Sequence, residues 1–328
     1  MPVSIRSAPV TYFESIEQIR GIDGFREHNP LTLESYHSLI GYYTFRERVH
    51  CCVEKANGQL CKHEHGNGWL VRKTDGSLTL MGRDCANDKF GADSTVFKDI
   101  HHAENALRRE ARLSKIAAHL GHRAEREAKL RVLSSELDKL FSRMASFLDE
   151  VGIKTAKRLL DMARRRNGDV FVTGVKIRES TEHGQTTQER STSNHRIGSL
   201  NGLDVLSKDT YTPIHIAIAN IRSAYIAAGE LGEKPSKGVI DDLAGKLDRY
   251  DHVVRQVDVL LQLENQFMKN QMLLLCFLVD DRAERPKCAR LAMHQNGIQG
   301  GKDHARQWLA DQETLLIAKL KMDKIEIS

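Results

Sequence analysis

The chain has 328 residues, of which 28% are charged, with a formal net charge of +5 and six cysteines. That length supports two or three domains, each able to bury a core of its own, and no apolar run approaches the roughly 20 residues needed to cross a bilayer. A membrane-spanning protein and a disulfide-framed miniprotein are set aside, and because the opening Met1–Arg6 lacks the apolar stretch of a signal peptide, a reducing cytoplasm is expected.

Residues 1–45 read as two short helices, Tyr12 to Arg20 and a second one after Asn29-Pro30, where Pro30 suits the first turn and Asn29 the cap. Beyond Phe45 the text changes to short alternating stretches rich in Cys, His and Gly, and a module is expected over 46–92. From Asp93 to Asn167 the pattern is helical. Within it Leu130, Leu133, Leu137, Leu140, Met144, Phe147 and Val151 recur at spacings of three and four, a heptad seam. After the turn signal Asn167-Gly168, the β-branched run Asp169 to Arg178 reads as a strand. Glu179 to Arg196 carries almost no apolar residue and reads as a mobile loop, closing a small β insertion over 168–210. A C-terminal helical region over 211–328 begins with a helix from Pro213 to Ala228 and a linker near Gly229 to Gly238. A second seam follows, Ile240, Leu243, Leu247, Tyr250, Val254, Val257 and Leu261, then the apolar run Met272 to Val279. Two matching seams predict a long antiparallel helical hairpin, or a dimer if they pair between chains. The fold expected is mainly α, with a small α+β zinc module and a small β insertion.

Four of the six cysteines fall between Cys51 and Cys85, a clustering that suits a metal better than a disulfide framework. Trp69 to Lys73 and Leu78 to Met81 flank Thr74-Asp75-Gly76-Ser77, a strong hairpin signal, so the Cys and His residues bracket a hairpin. Zinc takes four soft or borderline ligands in a tetrahedron and can substitute for the core that so small a unit lacks. The ligand set expected is Cys51, Cys61, His65 and Cys85. Cys52 and His63 compete for two of those places, because neighbours in an extended chain point opposite ways.

The order of knuckle, hairpin and then Gly82-Arg-Asp-Cys85-Ala86 entering a helix resembles the treble-clef type of zinc finger over residues 51–90. It is similar to modules of uncharacterised bacterial and phage proteins, and the resemblance implies a phage or mobile-element setting. Its first cysteine pair is nine residues apart instead of two, and its helix supplies Cys85 with Asp88 as a further donor. The related His-Asn-His nuclease scaffold needs a His near the helix start that this chain lacks. A catalytic zinc with Glu64 as base is the other enzymatic alternative, although no His-Glu-x-x-His helix motif is present.

Arginines and lysines stud the helix from Asn105 to Asn167, interleaved with glutamates, and end in Arg164-Arg165-Arg166. Phe147 to Leu160 loosely resembles a helix-hairpin-helix element, which implies a Gly152 turn and a helix N-terminus directed at phosphate, with Lys154 and Lys157 beside it. No phosphate-binding glycine loop, nucleophile elbow or dinucleotide fingerprint occurs, and no small-molecule substrate is inferred. The chain therefore reads as a zinc-stabilised, nucleic-acid-associated binding protein rather than an enzyme. A scaffold that recruits proteins through its seams and a metal-dependent nuclease are the alternatives.

Overall fold

The computed structural model describes residues 10–91, 94–182 and 185–327. They divide into two compact units, the first running up to Ala117 and including Pro235–Asp241, the second comprising Ala118–Lys234 and the residues from Asp242 onward.

In the first unit, strand β1 (Thr11–Phe13) leads through helix α1 (Ile16–Arg20) to the long strand β2 (Tyr36–His50). Strands β3 (Glu64–Lys73) and β4 (Leu78–Gly82) form a hairpin, helix α2 (Arg83–Lys89) follows at once, and helix α3 (Thr95–Gly121) begins beyond it. The sheet order is β1-β2-β3-β4, with β1 parallel to β2 and the other pairs antiparallel. Trp69, Leu70 and Val71 are all fully buried, so β3 is covered on both faces. Alternation of side chains sends Trp69, Val71 and Met81 into one cluster with Cys51 and Cys85, and Leu70 and Leu80 into another with Tyr43, Phe45 and Cys52. The free side of β4 is closed by backbone bonds from Arg26 to Leu78 and from Cys52 to Leu80.

No second helix follows Asn29-Pro30. Tyr36, Tyr43 and Phe45 are buried along a strand, as aromatic residues favour. Asn29 clamps the hairpin turn instead of capping a helix: its amide donates to Ser77 Oγ at 2.8 Å and its oxygen accepts from Lys73 Nζ at 2.9 Å. Since β2 runs through residues 45 and 46, the N-terminal segment and the cysteine-rich stretch share one sheet.

The second unit contains helix α4 (Arg123–Val151), helix α5 (Ile153–Arg165) and the paired strands β5 (Asp169–Glu182) and β6 (Gln185–Ser199). A 3-10 turn at Leu203–Leu206 and helix α6 (Lys208–Gly229) come next. Helix α7 (Lys237–Leu247) crosses the unit boundary and is followed by α8 (Tyr250–Met268), a 3-10 segment at Met272–Phe277, α9 (Arg285–Gln295), α10 (Lys302–Leu320) and strand β7 (Lys324–Glu326). The second sheet has the order β6-β5-β7. Strand Asp169 to Arg178 is therefore present, but the stretch read as a mobile loop is half of a hairpin, paired from Asp169↔Ser199 to Glu182↔Gln185 with one register shift between Val170 and Phe171. Ladder hydrogen bonds hold it where side-chain burial could not.

The chain is 56% helical, but its sheets of four and three strands make it mixed α/β, not a mainly α protein built on a coiled-coil hairpin. Every residue of the first seam is buried on α4, which packs against α5, α6, α8, α9 and the first 3-10 turn. The second seam is broken between Leu247 and Tyr250, and α8 buries Val253, Val257, Leu260 and Phe267, which share only Val257 with the row its spacing suggested. Edge-on contact between Phe147 and Phe267, 5.1 Å between ring centroids, and a forked ion pair from Arg143 to Glu264 at 2.7 Å tie α8 to α4. A core helix surrounded by several partners uses its seam against all of them, which a three-four spacing cannot distinguish from a two-helix coil.

Leu137→Ala is expected to cost about 2–5 kcal/mol in urea unfolding, because it empties a fully buried site on α4. Val132→Ala on the same helix, 51% exposed, is expected to change stability by less than about 0.5 kcal/mol.

Candidate metal centre and basic corner

Cys51 and Cys61 come together through a narrow knuckle. Cys51 N–H donates to His63 O at 2.9 Å, Lys62 N–H to Cys51 O at 3.1 Å and Cys61 N–H to Val53 O at 2.7 Å, while Lys55 N–H reaches Gln59 O across the turn. This local pairing accounts for the nine intervening residues. Cys85 enters from the first turn of α2, started directly by the end of β4, and Gly82 N–H points at Cys51 Sγ at 3.5 Å.

The three sulfurs lie within 4.8 Å of one another, with Cys61 and Cys85 at 3.5 Å. Thiolates on one tetrahedral zinc, each at about 2.3 Å, lie roughly 3.8 Å apart, so the spacing suits a shared ion. Burial, followed by the neighbouring Cys51, pushes the Cys85 thiol well up. Burial also raises Cys51. At half-exposed Cys61 burial acts the same way but is outweighed by the His63 backbone and the other two sulfurs, and the thiol is lowered. A bound cation would replace the protons of all three.

Cys52 faces the other way, into the cluster with Tyr43, Phe45 and Leu80, and takes no part. His63 is exposed and contributes its carbonyl. His65 is not brought into the trio of donor atoms that lie within 4.8 Å of one another. Its ring lies against Tyr43, 5.9 Å between centroids, with Nδ1 at 3.3 Å from the Tyr43 hydroxyl and Nε2 buried without a hydrogen-bond partner among the described residues. A Cβ at Gly82 would lie 2.6 Å from the His65 Cδ2, so the imidazole covers that glycine. Burial, with His63 nearby, lowers its pKa to about 4 and keeps it neutral. The strand places His65 by its pairing opposite Val49, a relation that its nearness to Cys61 in sequence does not reveal.

The corner between α4 and α5 departs from the helix-hairpin-helix expectation. Gly152 adopts φ 99°, as such a turn needs, but the amides that follow are already taken. Glu284 accepts from Lys154 N–H at 3.0 Å, and from Thr155 N–H at 2.8 Å and Thr155 Oγ at 3.0 Å. Lys154 Nζ donates to Asp281 at 2.7 Å. The α5 N-terminus thus has an internal carboxylate where a phosphate would sit. A Cβ on Gly152 would come within 2.6 Å of Glu284 Cδ, so the glycine also makes room for that cap.

Farther along α5 the cations are less occupied. Arg164 approaches Asp161 at 3.5 Å, whereas Lys157, Arg158, Arg165 and Arg166 are exposed and make no ion pair among the described residues. Many arginines of α3 and α4 are committed, Arg108 to Glu104, Arg112 to Asp241, Arg123 to Glu127 and Arg143 to Glu264. Arg158 was the contributor absent from the sequence-based set, although it lies within the same Lys-Arg-Leu-Leu run.

No protein-family model matches the chain, and neither curated proteins nor solved structures include a significant match. No helix among the described residues is long and apolar enough to cross a membrane.

Elemental analysis of purified protein is expected to find about one metal ion per chain, lost in Cys51→Ser, Cys61→Ser and Cys85→Ser. Cys52→Ser and His65→Ala are expected to keep it; loss in either would contradict the geometry described above.

A pH dependence follows from the cap. At Glu284 burial favours the neutral form, but the Lys154 and Thr155 backbone bonds and the Thr155 hydroxyl outweigh it and hold the carboxyl below its ordinary 4.5. Asp281, bonded first to Lys154, is lowered from 3.8 to about 2. Both folded values lie below the unfolded ones, so the stabilisation is complete above the unfolded values and is lost as pH falls through the folded ones. The second unit is expected to lose stability as pH drops from about 4.5 towards 2. In thermal melts across that range Glu284→Gln is expected to be less stable than wild type at neutral pH and to show a shallower acid loss.

Proposed function

We propose that this chain is a zinc-stabilised, nucleic-acid-associated binding protein. Zinc fits the first unit because three soft thiol donors converge there from a knuckle and a helix start, at the end of the β3–β4 hairpin. Their order supports the likeness to a treble clef. The fourth coordination position is left to water or to a donor outside this trio. The role assigned to the ion is structural: it joins α2 to the knuckle.

The observation that carries nucleic-acid association is the set of exposed cations on α5 and at its end, Lys157, Arg158, Arg165 and Arg166, which make no ion pair among the described residues. Exposed cations without carboxylate partners can each take a phosphate and release a counterion, whereas an arginine already paired must first break that pair. The helix is therefore read as lying along a phosphate backbone by its side and C-terminal end, not by its N-terminus.

The test is fluorescence anisotropy with a labelled 20-mer, single-stranded and duplex, at several salt concentrations. Wild type is expected to bind with a steep inverse dependence on salt, and the combined reversal K157E/R158E/R165E/R166E to weaken binding at least tenfold with an unchanged melting temperature. Binding that ignores both salt and the charge reversal would sink the proposal.

A further inference from the structure

The exposed cations at the end of α5 do not stop at a flat surface. Arg166, held in the left-handed conformation at φ 51° where α5 ends, lines a cleft of about 560 Å³ that is continued by the first 3-10 turn, α6 and α8. On α8, His252, Arg255, Gln256 and Val259 recur at helical spacing along the cleft wall. Arg166 and Arg255 are both exposed and have no ion-pair partner among the described residues, and the Gln256 amide has no hydrogen-bond partner there. Ile214 and Leu260, both buried, give the cleft an apolar floor, and Val259, 51% exposed, an apolar wall. Asp204 is the one carboxylate in the lining.

We propose that this cleft receives one nucleotide of a single-stranded nucleic acid, with its phosphate between Arg166 and Arg255 and its base against Val259. The proposal rests on the nucleic-acid reading of α5 and gives it a definite subsite. The chemistry required is all present. Two guanidiniums supply forked donors matched to phosphate oxygens, and a guanidinium plane can also carry a stacked base. Gln256 offers a donor and an acceptor to a base edge, and Asp204 an acceptor for a sugar hydroxyl or an exocyclic amine. A base shielded inside a duplex cannot reach an apolar wall of this kind, whereas an unstacked base in a single strand can. The cleft charge also favours an anion: two permanent cations face one carboxylate.

The experiment uses the full chain and labelled 10-mer oligonucleotides of one sequence, single-stranded and duplex, with inorganic phosphate as competitor. Wild type is expected to favour the single strand at least tenfold, and both Arg255→Glu and Val259→Glu to lose at least tenfold in single-strand affinity. Arg255→Lys is expected to retain most of the charge effect while losing part of the preference for the single strand. If R255E and V259E bind the single strand within twofold of wild type while K157E/R158E/R165E does not, the cleft is not the subsite, although α5 remains the contact face. If wild type binds neither oligonucleotide at low salt, the cleft and the α5 reading fail together. Complete displacement by millimolar phosphate with no preference between strands would reduce the cleft to a simple anion site and would also overturn the proposal.

Discussion

Strand β3 has Trp69, Leu70 and Val71 buried in succession, so the sheet around it must be covered on both faces. Everything about the thiol cluster follows from this constraint. With cores on both sides, the alternation of a strand becomes a choice between two interiors, and Cys51 and Cys52 are divided between them. The bond from Cys52 N–H to Leu80 O locks that choice by tying the knuckle to the edge of β4, two residues before Gly82 faces the Cys51 sulfur. Helix α2 begins at Arg83 with no loop between it and the strand, which delivers Cys85 to the same place. The thiols are close because the knuckle is bonded to β4 and α2 starts at its end, and a bound ion would tie together positions already prepared.

The second unit solves a different problem with the same economy. A sharp helix–helix corner leaves the first amides of the second helix without partners. Here they are satisfied from within by Glu284, almost 130 residues later in the chain, while Asp281 takes the neighbouring ammonium of Lys154. An element that resembles a phosphate grip thus becomes a structural joint. Cations without an ion pair among the described residues lie instead toward the far end of α5 and in the cleft it shares with α8, where Asp204 is the one carboxylate.

Much of the local structure was legible beforehand. The hairpin around Asp75-Gly76, the helix after Gly82, the strand from Asp169 and the buried first seam each rest on neighbours within a few residues, where turn chemistry and periodicity act directly. Two of the errors come from strand pairing, which side-chain periodicity does not report. Residues 36–50 become a strand by lying against β3, and the polar stretch Glu179 to Arg196 by laddering with β5. The second seam looked continuous because spacing cannot register the break at Asp248-Arg249 or the rotation of α8 towards several neighbours at once.

By itself the sequence determined the donor types and their neighbourhood: three of four clustered cysteines around a hairpin, and a basic stretch closing a helix. Those are properties of composition and short spacing, which survive any fold. Only the tertiary structure decided that Cys51 and not Cys52 faces Cys61 and Cys85, that the His65 ring lies against Tyr43 and Gly82 and outside the trio of donors within 4.8 Å of one another, and that Lys154 is spent on Asp281 while Arg166 and Arg255 share a cleft. Each of those outcomes depends on which face of a strand is buried, or on a carboxylate arriving from a distant segment. Neither is encoded in the residues immediately around the site.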